Sequence, residues 1–354
     1  MKTAHLAEAQ LAEWIDRFGQ CRIAVLGDFF LDKYLDVDPA LQEVSLETGK
    51  PAHQVVRVRC SPGAAGTVVG NLAALGAGQL YAIGMTGDDG EGYDLRQALE
   101  RIGCRTAHLH TTADRRTPTY LKPRDTTARG LAGEHSRYDT KNRQNTATDM
   151  QDKIVASLDA LLADVDAVVV LDQVEEPECG VVTRAVREAL ADRARRLADV
   201  IFWADSRRRI RDFHGLIIKP NQFEAVGLSD PPPDAVVDQQ QLVRAAADLR
   251  QKNGAPIVVT RGQVGTLVSD PEWTEVPGVF VPGEVDTTGA GDSVTAGTVL
   301  ALCAGAPLPQ AAVVGNLVAS ITIQQLATTG VARPDQLPER LALWRKQTEE
   351  KKHG

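Results

Sequence analysis

Short apolar runs of strand length alternate with helical patterns along most of the chain. The runs RIAVLGD, AVVVLDQ, VIFWADS and PIVVTRG are continuous apolar segments that lead into polar residues. Continuous apolar strands are typical of a parallel sheet that helices cover on both faces. The sequence therefore predicts a doubly wound α/β fold with a mainly parallel sheet, whose ligands bind beyond the carboxyl ends of the strands.

Two segments interrupt the alternation, at about 31–60 and 111–139. Both are rich in β-forming and charged residues, as in HQVVRVRC and RTPTYLKPR, and lack helical periodicity. We expect them to pair into a small β lid that projects from a single domain spanning 1–354. Ordinary surface hairpins are the alternative.

Composition and charge exclude several classes of protein. The 354 residues carry a net charge of −8 and are 43% hydrophobic, enough for the core of one large α/β domain. Basic residues are scattered apart from RRRIR at 207–211, which argues against nucleic acid as a partner. The five cysteines are widely spaced without a CxxC pair, so neither a zinc site nor a disulfide framework is predicted. The N-terminus lacks the apolar core of a signal peptide and no run reaches membrane-spanning length, so we expect a cytoplasmic protein without a membrane partner.

The stretch VDTTGAGDSVTAG, at 285–297, predicts an anion cradle at the start of a helix. Glycines let backbone N–H groups converge on a ligand, and small and apolar residues of helical type follow them. Asp292 directly follows the Gly-Ala-Gly, where its carboxylate would repel a bound anion. A carboxylate at this unfavourable position is explained if it acts as a general base. A helix N-cap is the alternative for this residue.

With DTTGAGD, the upstream KPNQFEA and the Gly-rich PGAAGTVVGNLAALGA, the chain resembles the ribokinase-like (PfkB) carbohydrate kinases over roughly 22–337. Within that family it is most similar to the bacterial kinases of D-glycero-D-manno-heptose 7-phosphate, through LGDFFLDKYL, RYD, TRGQVG and GNLVASITIQQLATTG. The resemblance implies transfer of the ATP γ-phosphate to a hydroxyl of a sugar or sugar phosphate, with Mg²⁺. It also implies that Asp292 is the catalytic base and that the amides of Gly289, Ala290, Gly291 and Asp292 form the anion hole.

The resemblance also implies residues for the metal and the nucleotide. Asn221 and Glu224 lie one helical turn apart and would organise Mg²⁺ and its water shell; a capping box is the alternative. The nucleotide-binding residues would be Thr260, Gly262, Gly265 and, beside the adenine, Asn316. A plain β-hairpin and an exposed helical Asn are the alternatives for these positions.

Sugar recognition would involve Asp28 and Asp32 in GDFFLD, because carboxylates accept hydrogen bonds from hydroxyl groups. Asp32 is the stronger candidate, and Asp28 is alternatively a residue that only shapes the strand end. Gly63 opens the second sugar motif, in which the family usually carries another Gly and a later Asn. This chain has Ala64 and Thr67 there, so its substrate is expected to differ from the common ones.

Three basic residues of the second lid segment are candidates for binding a phosphate on the sugar: Lys122, Arg124 and Arg137. Solvated lid charges are the alternative. Gln173, Glu175 and Glu176 follow Asp172, where heptose kinases usually carry a Lys and small residues, and the pattern alone offers no reason for the two acids.

Relatives often pair lid against lid, and Val55, Val56, Val58, Tyr120 and Leu121 suggest exposed apolar surface on the lid segments, so we expect a homodimer. A monomeric lid is the alternative.

The fingerprints of dinucleotide oxidoreductases and P-loop kinases are absent from the sequence. A catalytically silent sugar-binding regulator and a nucleoside kinase are the alternative functions.

Overall fold

The structure is a computed structural model that describes residues 1–128, 133–326 and 330–353. The strands are β1 (Lys2–Thr3), β2 (Arg22–Gly27), β3 (Phe29–Val44), β4 (Pro51–Ala64), β5 (Gln79–Gly87), β6 (Cys104–Thr112), β7 (Thr119–Asp125), β8 (Tyr138–Thr140), β9 (Ala167–Asp172), β10 (Ile201–Ser206), β11 (Ile217–Ile218), β12 (Val258–Thr260), β13 (Gly265–Val268) and β14 (Thr274–Pro277). The helices are α1 (Glu8–Phe18), α2 (Ala65–Ala74), α3 (Gly90–Arg101), α4 (Thr148–Leu161), α5 (Arg184–Arg196), α6 (Gln222–Ala225), α7 (Gln239–Asn253), α8 (Ala290–Cys303), α9 (Leu308–Thr322) and α10 (Leu337–His353).

A six-stranded parallel sheet forms the centre of the molecule, in the order β11-β10-β9-β2-β5-β6. A second sheet, β1-β14-β13-β12, continues it through a bridge between Ile218 and Ile257. The predicted doubly wound α/β fold is thus confirmed. The carboxyl ends of the central strands share one edge of the sheet, which is where the predicted site residues gather.

The central strands are apolar throughout because both of their faces are buried. In β9, Val169 and Leu171 pack into one hydrophobic core, whereas Val168 and Val170 pack into the core on the opposite face. All four side chains are fully buried. Each such side chain stabilises the fold by roughly 1.5–3 kcal/mol, and the first polar residue of the strand is its last one, Asp172.

A third sheet, β4-β3-β7-β8, is here called the lid sheet. Strands β3 and β4 form a long antiparallel hairpin from the Phe29–Ala64 pair to the Val44–Pro51 pair. β7 joins β3 in parallel, and β8 joins β7. Strands of the segments 31–60 and 111–139 therefore lie in one sheet, which begins at Thr119 in the second segment, whereas residues 111–112 belong to β6 of the central sheet. Residues 129–132 of the second segment, and 327–329 of the motif GNLVASITIQQLATTG, lie outside the described residues.

The apolar residues predicted on the lid surface differ in exposure. Val55, Val56 and Val58 on the edge strand β4 are exposed. Tyr120 and Leu121 are half-buried instead, and the Tyr120 ring packs edge-on against Phe30, with the ring centres 5.3 Å apart.

All five cysteines are free thiols. Within the described residues, no helix combines the length and the apolar character needed to cross a membrane.

Candidate active site

The predicted anion cradle lies at the first turn of α8. Gly289 occupies the N-cap position with a φ of +77°, a left-handed conformation that favours glycine, and the helix begins at Ala290. Behind this turn α8 packs closely on α9: a Cβ on Gly297 would lie 2.8 Å from the Val318 side chain. A side chain at Gly315 would likewise collide with the Thr298 hydroxyl. The tight contact holds the start of α8 in a fixed position.

Two clefts meet at this helix terminus. The lid cleft, of about 1110 Å³ up to its opening, lies between the lid sheet and α8 and is lined by Asp32, Thr67, Lys122, Arg207, Gly289 and Asp292. The loop cleft, of about 1340 Å³ up to its opening, lies between the β12–β13 turn and helices α8 and α9. Its lining includes Thr260, Gly262, Gly265, Ala290, Gly291 and Asn316. Most of the predicted site residues are thus gathered on two sides of one helix start.

The Asp292 carboxylate faces the lid cleft from inside the first turn of α8. The N-cap is Gly289, so the helix-cap alternative for Asp292 is wrong. Burial raises the pKa of Asp292 to about 7, and repulsion from Asp205 and Asp32 adds to this effect, while Lys219 and Arg207 oppose it. A carboxyl group that titrates near neutral pH can exchange a proton with a bound hydroxyl group.

A buried ion pair lies beneath the cradle, and the sequence reasoning missed it. Lys219 and Asp205 contact each other at 2.8 Å, and the Lys219 side chain is almost fully buried. Burial alone would lower the pKa of Lys219, but the contact with Asp205 and the nearby Glu224 and Asp292 carboxylates together keep it above its ordinary value. A Cβ on Gly291 would lie 3.3 Å from the Lys219 ammonium, so this charge sits directly against the cradle. The KPN string that contains Lys219 was the available signal.

Asp32 projects from β3 into the lid cleft and is buried. One of its carboxylate oxygens lies 2.9 Å from the Lys122 ammonium. A Cβ on Gly63 would lie 2.7 Å from the other oxygen, so glycine at this position leaves room for the carboxylate. Gly63 therefore makes space for the Asp32 carboxylate, and the Lys122 ammonium neutralises that carboxylate.

Ala64 and Thr67 occupy the start of α2, next to Asp32. Ala64 has a φ of +53° and a ψ of −118°, a conformation that favours glycine, and it also lines the lid cleft. Thr67 is buried and lines the same cleft. The departure from Gly at position 64 therefore places a methyl group in the cleft and strains the backbone there.

Asp28 lies outside the lid cleft, in the wall of a neighbouring cavity. Its carboxylate accepts hydrogen bonds from the backbone N–H groups of Gln173 (2.8 Å), Val174 (3.0 Å) and Val181 (2.7 Å). Burial raises its pKa to about 6. Asp28 follows β2, and its carboxylate oxygens hold the loop after β9 through these hydrogen bonds. The contacts agree with the alternative in which Asp28 shapes the end of the strand.

Asn221 and Glu224 form the capping box of α6. The Asn221 side chain accepts hydrogen bonds from the N–H groups of Phe223 (2.8 Å) and Glu224 (2.9 Å), and Glu224 accepts one from the Asn221 N–H at 2.7 Å. Burial raises the pKa of Glu224 to about 7; the Asn221 N–H lowers it and Asp205 raises it further. Among residues 1–128, 133–326 and 330–353, no cluster of three or more His, Cys, Asp or Glu side chains could hold a metal ion.

The pair nevertheless fits Mg²⁺ that arrives with phosphates. Mg²⁺ usually takes only one or two carboxylates from the protein and completes its shell with water and substrate phosphates. The half-buried Glu224 carboxylate, with Asp205 near it, is a group whose charged form a divalent cation would favour.

The loop cleft is built around two constrained residues. Any side chain at Gly265, whose φ is +108°, would collide with the Val276 carbonyl. Asn316 is buried, and its amide donates to the carbonyls of Val276 (3.1 Å) and Pro277 (3.2 Å), so the exposed-helix alternative is wrong. Strands β12 and β13 do form a hairpin, and its turn at Gly262 also lines the cleft.

Two acids, Asp172 at the end of β9 and Glu175 in the loop after it, pair with the basic run RRRIR. Glu175 lies 3.7 Å from both Arg207 and Arg208, and the buried Asp172 carboxylate pairs with Arg209. The run therefore fixes the loop that begins at Gln173. Arg207 also lines the lid cleft with Asp292, a position that the sequence reasoning missed.

Comparisons with known proteins agree with this architecture. The sequence pattern described as "pfkB family carbohydrate kinase" matches residues 27–335. The chain is 30% identical over 328 residues to the bifunctional protein HldE of Citrifermentans bemidjiense. The alignment covers 91% of this chain but only 64% of HldE, so the chain spans less than two thirds of that relative. The ribokinase of Arabidopsis thaliana, solved with ribose and ATP, aligns at a TM-score of 0.63 with 18% identity over 91% of this chain and 98% of that one. Phosphofructokinase-2 of Escherichia coli, solved with fructose-6-phosphate, aligns at a TM-score of 0.67 with 18% identity, over 92% of this chain and 99% of that one.

Proposed function

The chain belongs to the pfkB family of carbohydrate kinases, and we propose that it transfers the γ-phosphate of ATP to a hydroxyl of a heptose-phosphate-like sugar or sugar phosphate. The observation that carries this proposal is the shared start of α8. One helix terminus lines both clefts, with Asp292 toward the lid cleft and Ala290 and Gly291 toward the loop cleft. The acceptor would bind in the first cleft and the nucleotide in the second.

Asp292 would act as the general base. Its pKa of about 7 allows the carboxylate to take the proton of the acceptor hydroxyl as that oxygen attacks the γ-phosphorus. The amides of Gly289 to Asp292 would donate hydrogen bonds to the charge that develops on the transferred phosphoryl group. Lys219 beneath the cradle and Arg207 beside it would add two positive charges to the same region.

Acceptor orientation would depend on Asp32. Its buried carboxylate can accept hydrogen bonds from two neighbouring hydroxyl groups, which would replace part of its contact with Lys122. The Lys122 ammonium released in this way would turn to the acceptor. The methyl group of Ala64 narrows the cleft on the same side and would shape the choice of sugar.

Asn221 and Glu224 would hold Mg²⁺, which supplies neutralisation of the nucleotide phosphates when bound. Thr260, Gly262, Gly265 and Asn316 would contact the nucleotide. The Asn316 amide is already held by two carbonyls, so we expect it to fix the cleft wall as well as to contact the base.

ADP release from a panel of sugars, sugar phosphates and nucleosides tests the proposal, with Asp292→Asn as the inactive control. Turnover on a sugar or sugar phosphate that is lost in the variant would support it. Turnover on nucleosides alone would favour a nucleoside kinase. Acceptor binding without turnover would favour the silent regulator, for which the altered Ala64 and Thr67 motif is the supporting observation.

A further inference from the structure

One apolar wall of the loop cleft has no part in the proposed function. It consists of Val279, Phe280 and Val281, in the segment that follows β14. Among the described residues, no charged side chain lines this cleft. A ligand group that bound against this wall would therefore be recognised through its apolar surface and its shape.

Phe280 is the exposed residue of this wall. Its neighbours Val279 and Val281 are buried in the hydrophobic core, whereas Phe280 is 64% exposed. In the part of the chain that the structure describes, the Phe280 ring has neither an aromatic nor a cationic partner. A single exposed ring is common on protein surfaces, but this one lies in the wall of a cleft and is turned away from the core by two buried neighbours.

Helix α10 fixes the backbone that carries this ring. The Phe280 N–H donates to Gln347 Oε1 at 3.0 Å, and Gln347 Nε2 donates to the Phe280 carbonyl at 2.9 Å. Three residues earlier, the Pro277 carbonyl accepts a hydrogen bond from the Trp344 indole N–H at 2.8 Å. Both backbone polar groups of Phe280 are thus engaged by one side chain, and the exposed ring extends from a fixed position.

The polar groups near this wall are largely engaged within the protein. The Asn316 amide donates to the carbonyls of Val276 and Pro277, and the Ser320 hydroxyl donates to the Leu317 carbonyl at 2.7 Å. Both side chains line the loop cleft. Donors held in this way are not available to the edge of a nucleobase, whereas an exposed ring can cover the face of the base.

We propose that Phe280 is a further nucleotide-binding residue, whose ring stacks on the base, and that Gln347 is the positioning residue that holds Phe280 in the wall of the loop cleft. The inference rests on the proposed function, because it takes the loop cleft as the nucleotide site. Stacking would cover the exposed ring and would use the aromatic face that every nucleobase offers.

Calorimetric titration of the full chain with ADP in the presence of Mg²⁺ tests this assignment. The Kd would be measured for the wild type, Phe280→Ala, Phe280→Trp, Gln347→Ala and the double variant Phe280→Ala/Gln347→Ala. Tyr93→Ala is the matched control, because Tyr93 is an aromatic residue of similar exposure (66%) that lies on α3 and lines neither cleft.

Phe280→Ala should weaken ADP binding on the order of 10-fold, because a base–aromatic stack is lost. Phe280→Trp retains an aromatic face and should bind within about 3-fold of the wild type, as should Tyr93→Ala. Equal binding by the wild type and Phe280→Ala, or no ADP binding by the wild type, would overturn the role of Phe280. Circular dichroism would show that each variant is folded.

The double variant tests the role of Gln347. Gln347→Ala alone should weaken ADP binding by about 3-fold or more, because the backbone of Phe280 loses two hydrogen bonds. Added to Phe280→Ala, it should cause no further loss, since it acts through a ring that is no longer present. Losses that multiply in the double variant would show that Gln347 acts independently of Phe280 and would overturn its positioning role.

Steady-state kinetics separate this inference from the proposed function. With any acceptor that is phosphorylated, Phe280→Ala should raise the KM for ATP and leave kcat and the KM for the acceptor within about 2-fold, because the ring does not touch the reacting atoms. A lower kcat at an unchanged KM for ATP would contradict the stacking role. If no acceptor is phosphorylated, the kinase proposal fails, whereas the titration with ADP still decides whether Phe280 binds the nucleotide.

Discussion

Ala64 lies in a backbone conformation that side chains rarely adopt, with a φ of +53° and a ψ of −118°. Strain of this kind costs roughly 1–3 kcal/mol. Glycine at this position would relieve it, but would also add about 0.4–1 kcal/mol of unfolded-state entropy that opposes folding. The difference between these two ranges runs from about 0 to about 2.6 kcal/mol, so replacement of Ala64 by glycine should raise the free energy of unfolding by about 1 kcal/mol.

Equilibrium unfolding in urea, followed by tryptophan fluorescence, measures this change, because Trp203 and Trp344 are fully buried. With an m-value of about 3 kcal/mol/M, the midpoint should rise by roughly 0.3 M and by no more than about 0.9 M. Ala65→Gly is the matched control: Ala65 is buried at the first position of α2 and lacks a positive φ, so this variant should be less stable than the wild type. An Ala64→Gly midpoint at or below that of the wild type would refute the strain argument.

The remaining predictions concern catalysis and assembly. Asp292→Asn should lower kcat on the order of 10²-fold or more while ATP binding is retained, and an unchanged kcat would exclude its role as base. Because a base acts when deprotonated, the wild-type rate should fall as pH drops through about 7; Arg207→Gln removes a charge that lowers the pKa of Asp292, so it should move this limb to higher pH in a pH–rate profile. Glu224→Gln should raise the Mg²⁺ concentration needed for half-maximal rate more than the KM for sugar, and an equal defect at saturating Mg²⁺ would count against a metal role. Light scattering should give about twice 38.1 kDa for the wild type, with a shift toward the monomer in Val56→Asp; a monomeric wild type would exclude the lid dimer.

The fold was largely predictable because the pattern of the central strands follows directly from their burial. A strand such as β9, with cores on both faces, is apolar at every position before its terminal Asp172, and this signal does not depend on distant residues. The helix start of the predicted anion cradle was predictable for a similar reason. Gly289 adopts a positive φ and precedes a helix, and both requirements are local in sequence.

Other parts of the site depend on contacts between distant elements. Lys219 and Asp205 pair across neighbouring strands, so neither residue alone indicates that a buried charge lies beneath the cradle. The two acids after β9 had no evident reason in the sequence, and the structure supplies one for Glu175 in its contacts with Arg207 and Arg208. Asn221 and Glu224 are ambiguous for a different reason. The capping box that the structure shows and the proposed metal role use the same two residues, so the sequence pattern could not distinguish them.

The close packing of α8 on α9 has a consequence for how acceptor preference can change. With glycines at 297 and 315 in close contact with the neighbouring helix, α8 is held tightly against α9. The lid sheet, by contrast, continues from the core through β3 and β4. With the start of α8 as the proposed phosphoryl-transfer end, substitutions on β3 and β4 would reshape the proposed acceptor side without moving that helix. A library restricted to the lid and to the loop after Asp172 should therefore yield new acceptors at unaltered nucleotide affinity.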